Sequence, residues 1–225
     1  MSHSPKESDF IDIHSHSEKE ENGVFRIHNV FATDYKKIPS ELPVSIGLHP
    51  WHINDNSISL LPEILQNSAS LENCLAIGET GLDSLVQTPI STQITVFRKH
   101  IEIGIKENKP LIIHFVKAFP ELLSLRKEYT NAAPWIIHGF NANPTIAAEC
   151  LKHGIYLSLS QRLFRNPEKA EKIMKVVPVS MIFAETDEDS MSIQEIYDTI
   201  ATFYGLSISA LKKIIFENYR RCIKV

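Results

Sequence analysis

Short apolar runs recur along the chain, each closed by turn residues. They fall at 10–16, 24–30, 44–49, 74–78, 111–116, 135–140, 155–160 and 181–184. Near-continuous apolar runs of this length suit strands buried on both faces, as in a parallel sheet. Between most of them, apolar positions recur at helical spacing. The stretch 57–69 places Ile58, Leu61, Ile64 and Leu65 on one face. The stretch 91–108 does the same with Ile94, Phe97, Ile101 and Ile105, and Ser91 is its expected N-cap. Helices over 120–129, 144–153 and 167–176 each open on Pro after Phe or Asn, a favoured first-turn position. Two more cover 192–204 and 207–221, the last capped by Ser207 and burying Leu211, Ile214 and Ile215. The link between the second and third strands is short and polar, so its helix is expected to be missing or reduced to a turn.

Strands alternating with helices in this way predict a (β/α)8 barrel of the TIM type. An open doubly wound sheet also alternates, but it would not gather the ends of the first, fourth, fifth, sixth and eighth strands around one point. No linker or repeat divides the chain. Positions 1–9 read as a loose tail and 10–225 as a single domain.

The polar residues that close the strands carry the candidate chemistry. Side chains at i and i+2 of a strand share a face, so His14 and His16 project to one side. The fourth strand runs into Glu79 and the fifth carries His114. The sixth carries His138, and the eighth ends in Glu185-Thr186-Asp187. Taken singly, each has an ordinary explanation. A histidine after an apolar pair is more often a satisfied core residue than a ligand, Glu79 could be a loop carboxylate, and Asp187 could cap a helix. Five strand ends together do not share that explanation. Buried imidazoles and carboxylates cost several kcal/mol each unless compensated, and a pair of divalent ions compensates all of them at once.

Three neighbours are secondary candidates. His49 lies on the same rim and reads equally as a substrate contact or as a residue orienting a ligand. Asp12 faces the same way as His14, two residues deeper. It either orients a ligand histidine or is a hydrogen-bonded carboxylate of the barrel floor. Glu185 stands in the same relation to Asp187.

Composition narrows the function. The net charge of −4 argues against a broad electrostatic footprint on nucleic acid, though not against a nuclease whose metal ions supply local positive charge. Three widely spaced cysteines give neither a metal pattern nor a disulfide framework and fit a reducing cytoplasm, as small buried side chains. No apolar run is long enough to span a bilayer, the N-terminus has no signal-peptide core, and nothing implies a membrane or protein partner.

With these motifs assembled, the chain resembles the TatD family of metal-dependent hydrolases, within the amidohydrolase-like barrels. The likeness spans about 10–221. It rests on Asp12-Ile13-His14-Ser15-His16, Gly47-Leu48-His49-Pro50, Gly78-Glu79-Thr80-Gly81-Leu82-Asp83, Ile113-His114, His138-Gly139-Phe140 and Glu185-Thr186-Asp187. The Gly-Glu-Thr-Gly-Leu-Asp and Glu-Thr-Asp blocks are its specific parts. The resemblance implies two divalent ions (Mg²⁺, Mn²⁺ or Zn²⁺), one held by His14, His16 and Asp187, the other by His114 and His138, with Glu79 bridging. It also implies phosphodiester hydrolysis, often as a DNase or exonuclease; in a metal-assisted hydrolysis, Asp187 is the expected acceptor of a proton from the attacking water. Lys117 and His49 are candidates to hold the phosphate.

This chain departs from the family pattern at its loops. The family commonly carries Arg two residues after the fifth-strand histidine, where this chain has Val116 and then Lys117. The family's Pro-rich basic loop after Glu-Thr-Asp is here the acidic Glu188-Asp189-Ser190-Met191, and the first connection is short. These departures bear on the substrate, DNA or a small phosphodiester. One rival reading keeps the barrel and ligands but acts on a small amide, lactone or phosphoester. Another is a non-catalytic metal-binding module. Nucleic-acid binding without catalysis has little support, because the sequence has no basic stripe and no base-stacking aromatic cluster.

Overall fold

The structure is a computed structural model that describes residues 4–224. Its elements are β1 (Phe10–Ser15), β2 (Val24–Phe31), β3 (Val44–Gly47), α1 (Asp55–Ala69), β4 (Cys74–Asp83), α2 (Ile90–Glu107), β5 (Leu111–Val116), α3 (Phe119–Glu128), β6 (Trp135–Ile137), α4 (Pro144–Lys152), β7 (Ile155–Leu159), α5 (Gln161–Phe164), α6 (Pro167–Met174), β8 (Ile182–Ala184), α7 (Ile193–Tyr204) and α8 (Ile208–Cys222). The eight strands form one parallel sheet in sequence order. The sheet curls until its outer strands meet: Asp187 N–H donates to the His14 carbonyl at 3.1 Å, and His16 N–H to the Asp187 carbonyl at 3.3 Å. The nearly closed barrel with helices between its strands is the predicted architecture. The link from β2 to β3 is a 3-10 turn, Ala32–Lys37, as its short polar sequence implied.

Helix starts follow local chemistry. Asn143 and Asn166 accept hydrogen bonds from backbone N–H groups three residues on, each followed by Pro in the first turn. Asn54 and Ser192 make reciprocal capping boxes. Two expectations for α2 are corrected. Ser91 is not its cap: the helix begins at Ile90, with the Pro89 carbonyl taking the N–H groups of Thr92 and Gln93. Ile105 is not on the buried face but is 41 % exposed, and Gly104 packs there instead, where a Cβ would lie 2.7 Å from Leu111.

β4 runs five residues past its expected end, from Gly78 to Asp83. Glycine reads as a turn residue in sequence, but here it permits close strand approach. A Cβ on Gly81, at φ +146°, would lie 2.1 Å from the His114 carbonyl on β5. Of the stretch read as a tail, residues 1–3 lie outside the described residues. Pro5 is buried, and the Ser8 carbonyl accepts from Lys212 Nζ at 2.8 Å. All three cysteines are buried and free. Among the described residues, no single helix is long and apolar enough to cross a membrane.

One buried histidine ties a helix to the rim. Leu48 N–H donates to His100 Nε2 at 2.9 Å, so Nδ1 carries the ring proton and donates to the Val96 carbonyl. Burial pushes His100 down to about 4 from an ordinary 6.5. Between those values the unfolded chain binds a proton that the folded chain refuses. This residue's stabilisation is therefore complete above pH 6.5 and lost as pH falls toward 4. At 1.36 kcal/mol per pKa unit the loss is about 3 kcal/mol. Denaturant titrations across this range should show wild type losing stability more steeply than His100→Gln, and parallel slopes would contradict the assignment.

Candidate metal centre

Glu79 stands near the C-terminal end of β4, almost wholly buried, with its N–H donating to Asn29 Oδ1 on β2 at 2.8 Å. Its Oε1 gathers three imidazoles from three different parts of the barrel: His138 Nε2 at 2.8 Å, His114 Nδ1 at 3.0 Å and His49 Nε2 at 3.1 Å. His49 Nδ1 accepts the Trp51 backbone N–H at 3.1 Å, which leaves Nε2 as the protonated nitrogen that donates to Glu79. Its other oxygen, Oε2, faces β1, 3.6 Å from His14 Nε2 and 3.8 Å from His16 Nε2. Asp187 Oδ1 faces the same two nitrogens at 3.7 and 3.6 Å. The six residues expected at the strand ends are thus brought together about one carboxylate.

Burial and mutual charge set their protonation. Burial, reinforced by His138, holds His14 well below its ordinary range despite the pull of Glu79. Burial also works to raise Glu79 and lower His138, but their attraction for each other wins, holding Glu79 well down and His138 well up. Burial raises Glu185, whose Oε1 lies 3.4 Å from His138 Nδ1 and accepts the Gly139 N–H.

The donor set fits divalent cations. His14 is completely buried, and neither ring nitrogen has a hydrogen-bond partner, which costs roughly 1–3 kcal/mol per group if nothing compensates. The carboxylate oxygens it faces are too distant for hydrogen bonds, yet the ligand atoms of His14, His16 and Glu79 all lie within 4.8 Å of one another. Those of His14, His138 and Asp187, and of His49, Glu79 and His114, do so as well. Imidazole nitrogens mixed with carboxylate oxygens suit Zn²⁺ and Mn²⁺, and carboxylates also suit Mg²⁺.

The secondary candidates separate. Asp12 touches none of the histidines among its hydrogen bonds. It accepts from Thr186 N–H and Oγ1 at 2.9 and 2.7 Å and from Arg26 Nε at 2.9 Å. It thereby fixes the chain just before Asp187. Lys117 lies one residue beyond β5, exposed and in the left-handed region at φ +49°. It lines a groove of about 570 Å³ beside Gly139, together with Arg162 of α5.

Four neighbours of the site were given no role in the sequence reading. Asp83 Oδ2 lies 3.0 Å from His114 Nε2, opposite Glu79. Glu79, Gly81 and Asp83 alternate along one strand, so the period-two pattern carried the signal once β4 was long enough. Trp51 had only its place two residues after His49, and Asn29 and Arg162 had no signal, because they reach the site through tertiary packing or a short helix, α5, that its sequence does not announce.

Comparisons with known proteins bear on the family and the fold. The family model for TatD related DNase matches residues 24–224. The uncharacterized metal-dependent hydrolase YcfH of Escherichia coli (strain K12) is 28 % identical over 198 residues, covering 80 % of this chain and 73 % of that protein. The putative deoxyribonuclease TATDN3 of Mus musculus is 26 % identical over 163 residues, 65 % of this chain and 55 % of that protein. In fold, the chain superposes on YjjV, a TatD homolog from Escherichia coli K12, with a TM-score of 0.79 at 16 % identity over 98 % of this chain and 100 % of that one. A hydrolase TatD family protein from Entamoeba histolytica gives 0.79 at 17 % identity, over 96 % and 98 %.

Asp12→Ala would strip the acceptor from both Thr186 donors and from Arg26. Removing one partner of a buried ion pair costs about 3 kcal/mol or more. Urea unfolding should show a loss of that order, with Asp12→Asn milder. An unchanged midpoint for the alanine variant would contradict the role given to this carboxylate.

Proposed function

The chain belongs to the TatD-related DNase family of metal-dependent hydrolases, and from that premise we propose that it cleaves phosphodiester bonds in DNA at a two-metal site. In this reading His14, His16 and Asp187 would hold one ion, His114 and His138 the other, and Glu79 would serve both. The observation that carries it is the pair of Glu79 oxygens, one facing His14 and His16, the other facing His114 and His138. Divalent ions there supply a Lewis acid for a phosphoryl oxygen and lower the pKa of water toward neutrality.

The chain's own residues position and exchange protons. Asp187 is the more open of the two carboxylates facing His14, with its side chain 20 % exposed, and it accepts a proton from the attacking water. Glu185 orients His138 from behind through Nδ1, and Asp83 does the same for His114 through Nε2. His49 donates to Glu79 Oε1, which favours an orienting role for it over a substrate contact. Lys117 and Arg162, on the groove beside Gly139, meet flanking phosphates. The acidic loop after Asp187 is less repulsive than its sequence suggests, because Asp189 is paired with Arg165 at 2.9 Å. That pairing weakens the case for a small neutral substrate.

The test is hydrolysis of single-stranded DNA and of a small phosphodiester by protein stripped of metal, then restored with Mg²⁺, Mn²⁺ or Zn²⁺. Activity should return with metal. Changing a residue behind the ligands costs roughly 10–100-fold, so Glu79→Ala should lose more than about 100-fold and Lys117→Ala less than about tenfold. Metal bound in stoichiometric amount with neither substrate cleaved would overturn the phosphodiester reading.

A further inference from the structure

Two large apolar side chains on the rim stand far more open than any others of their kind among the described residues. Trp51 and Leu85 are each 66 % exposed, whereas the next is 42 %. Both are tied to the same carboxylate: Trp51 Nε1 donates to Asp83 Oδ2 at 3.1 Å, and Leu85 N–H to Asp83 Oδ1 at 2.8 Å. That carboxylate also faces His114. Trp51 is held at its other end as well, its backbone N–H bound to His49. The indole stands edge-to-face with two rings of the candidate centre, its centroid 4.9 Å from His49 and 6.2 Å from His114. An indole fixed at both ends and left largely in water is a preorganised apolar surface, which lowers the entropic cost of binding a flat partner.

We propose that Trp51 is the platform on which an unpaired nucleobase stacks, next to the phosphate being cleaved. The proposal rests on the DNA reading above. The platform adjoins His49 and the ligand His114, so a base stacked on it keeps its own phosphate beside the centre, a span the sugar bridges. The chain carries a net charge of −4, so affinity for a polyanion cannot come mainly from a basic surface. Stacking supplies affinity that is independent of charge and tolerant of sequence. It also requires a base free of its pair, which selects single strands or frayed ends.

The protein reports on this itself. It has two tryptophans, and Trp135 is completely buried, so a change in emission on binding belongs to Trp51. Metal-loaded protein would be mixed rapidly with a dT tetranucleotide, or with an abasic chain of the same length, and read before turnover. The dT chain should quench and the abasic chain should not. Trp51→Leu should weaken dT binding and lower kcat/KM for DNA, each about tenfold, while Trp51→Phe stays within about threefold. Absence of quenching, equal binding of the abasic chain, or wild-type affinity in Trp51→Leu would overturn the stacking role. Equal losses in the Phe and Leu variants would also overturn it, assigning the effect to the Nε1–Asp83 hydrogen bond. DNA cleavage with any of these results leaves the phosphodiesterase reading standing. If neither DNA nor a base-free diester is cleaved, that reading fails, whatever the fluorescence shows.

Discussion

A carboxylate buried where three imidazoles meet is the constraint from which the rest of the site follows. Glu79 is charged and only 4 % exposed. Such a group is tolerable only if positive charge or several donors meet it. The barrel satisfies this by delivering His49 after β3, His114 on β5 and His138 after β6 to one oxygen, while β1 delivers His14 and His16 toward the other. The donors on the first oxygen have partners. His14 has none, and this asymmetry points to cations as the missing counterpart of the cluster.

Closure of the barrel and assembly of the site are the same event. The sheet's two outer strands meet through backbone bonds between Asp187 and the residues His14 and His16. Asp12, two residues before His14, pins Thr186, one residue before Asp187. Asp187 itself sits in the left-handed region at φ +51°, which aims its side chain back toward β1. Any opening of this seam separates the two histidines of β1 from Asp187. Stability and ligand geometry are therefore coupled here, as they are not at His114 and His138, which lie in the middle of the sheet order.

The barrel was legible because its strands are buried on both faces and read as unbroken apolar runs, and its helices carry Pro, Asn or Ser at their starts. The six strand-end residues were legible for a related reason. A histidine or acid terminating an apolar strand conflicts with its surroundings, and the conflict repeats. Less visible was whatever depends on backbone detail. Gly78 and Gly81 looked like the end of β4, although they let β5 approach, and this concealed Asp83. Ser91 looked like a cap because the Pro89 carbonyl that starts α2 has no side-chain signature. Asn29 and Arg162 become neighbours of the centre only through packing between distant segments, and Trp51 meets Asp83 in the same way.

The central claim is that these strand ends hold two divalent ions with Glu79 between them. Anomalous diffraction from crystals grown with Mn²⁺ tests it most directly. The account predicts two peaks, one among His14, His16 and Asp187, the other beside His114 and His138, each within coordination distance of a Glu79 oxygen. No peak at the strand ends, or peaks that leave Glu79 untouched, would contradict it.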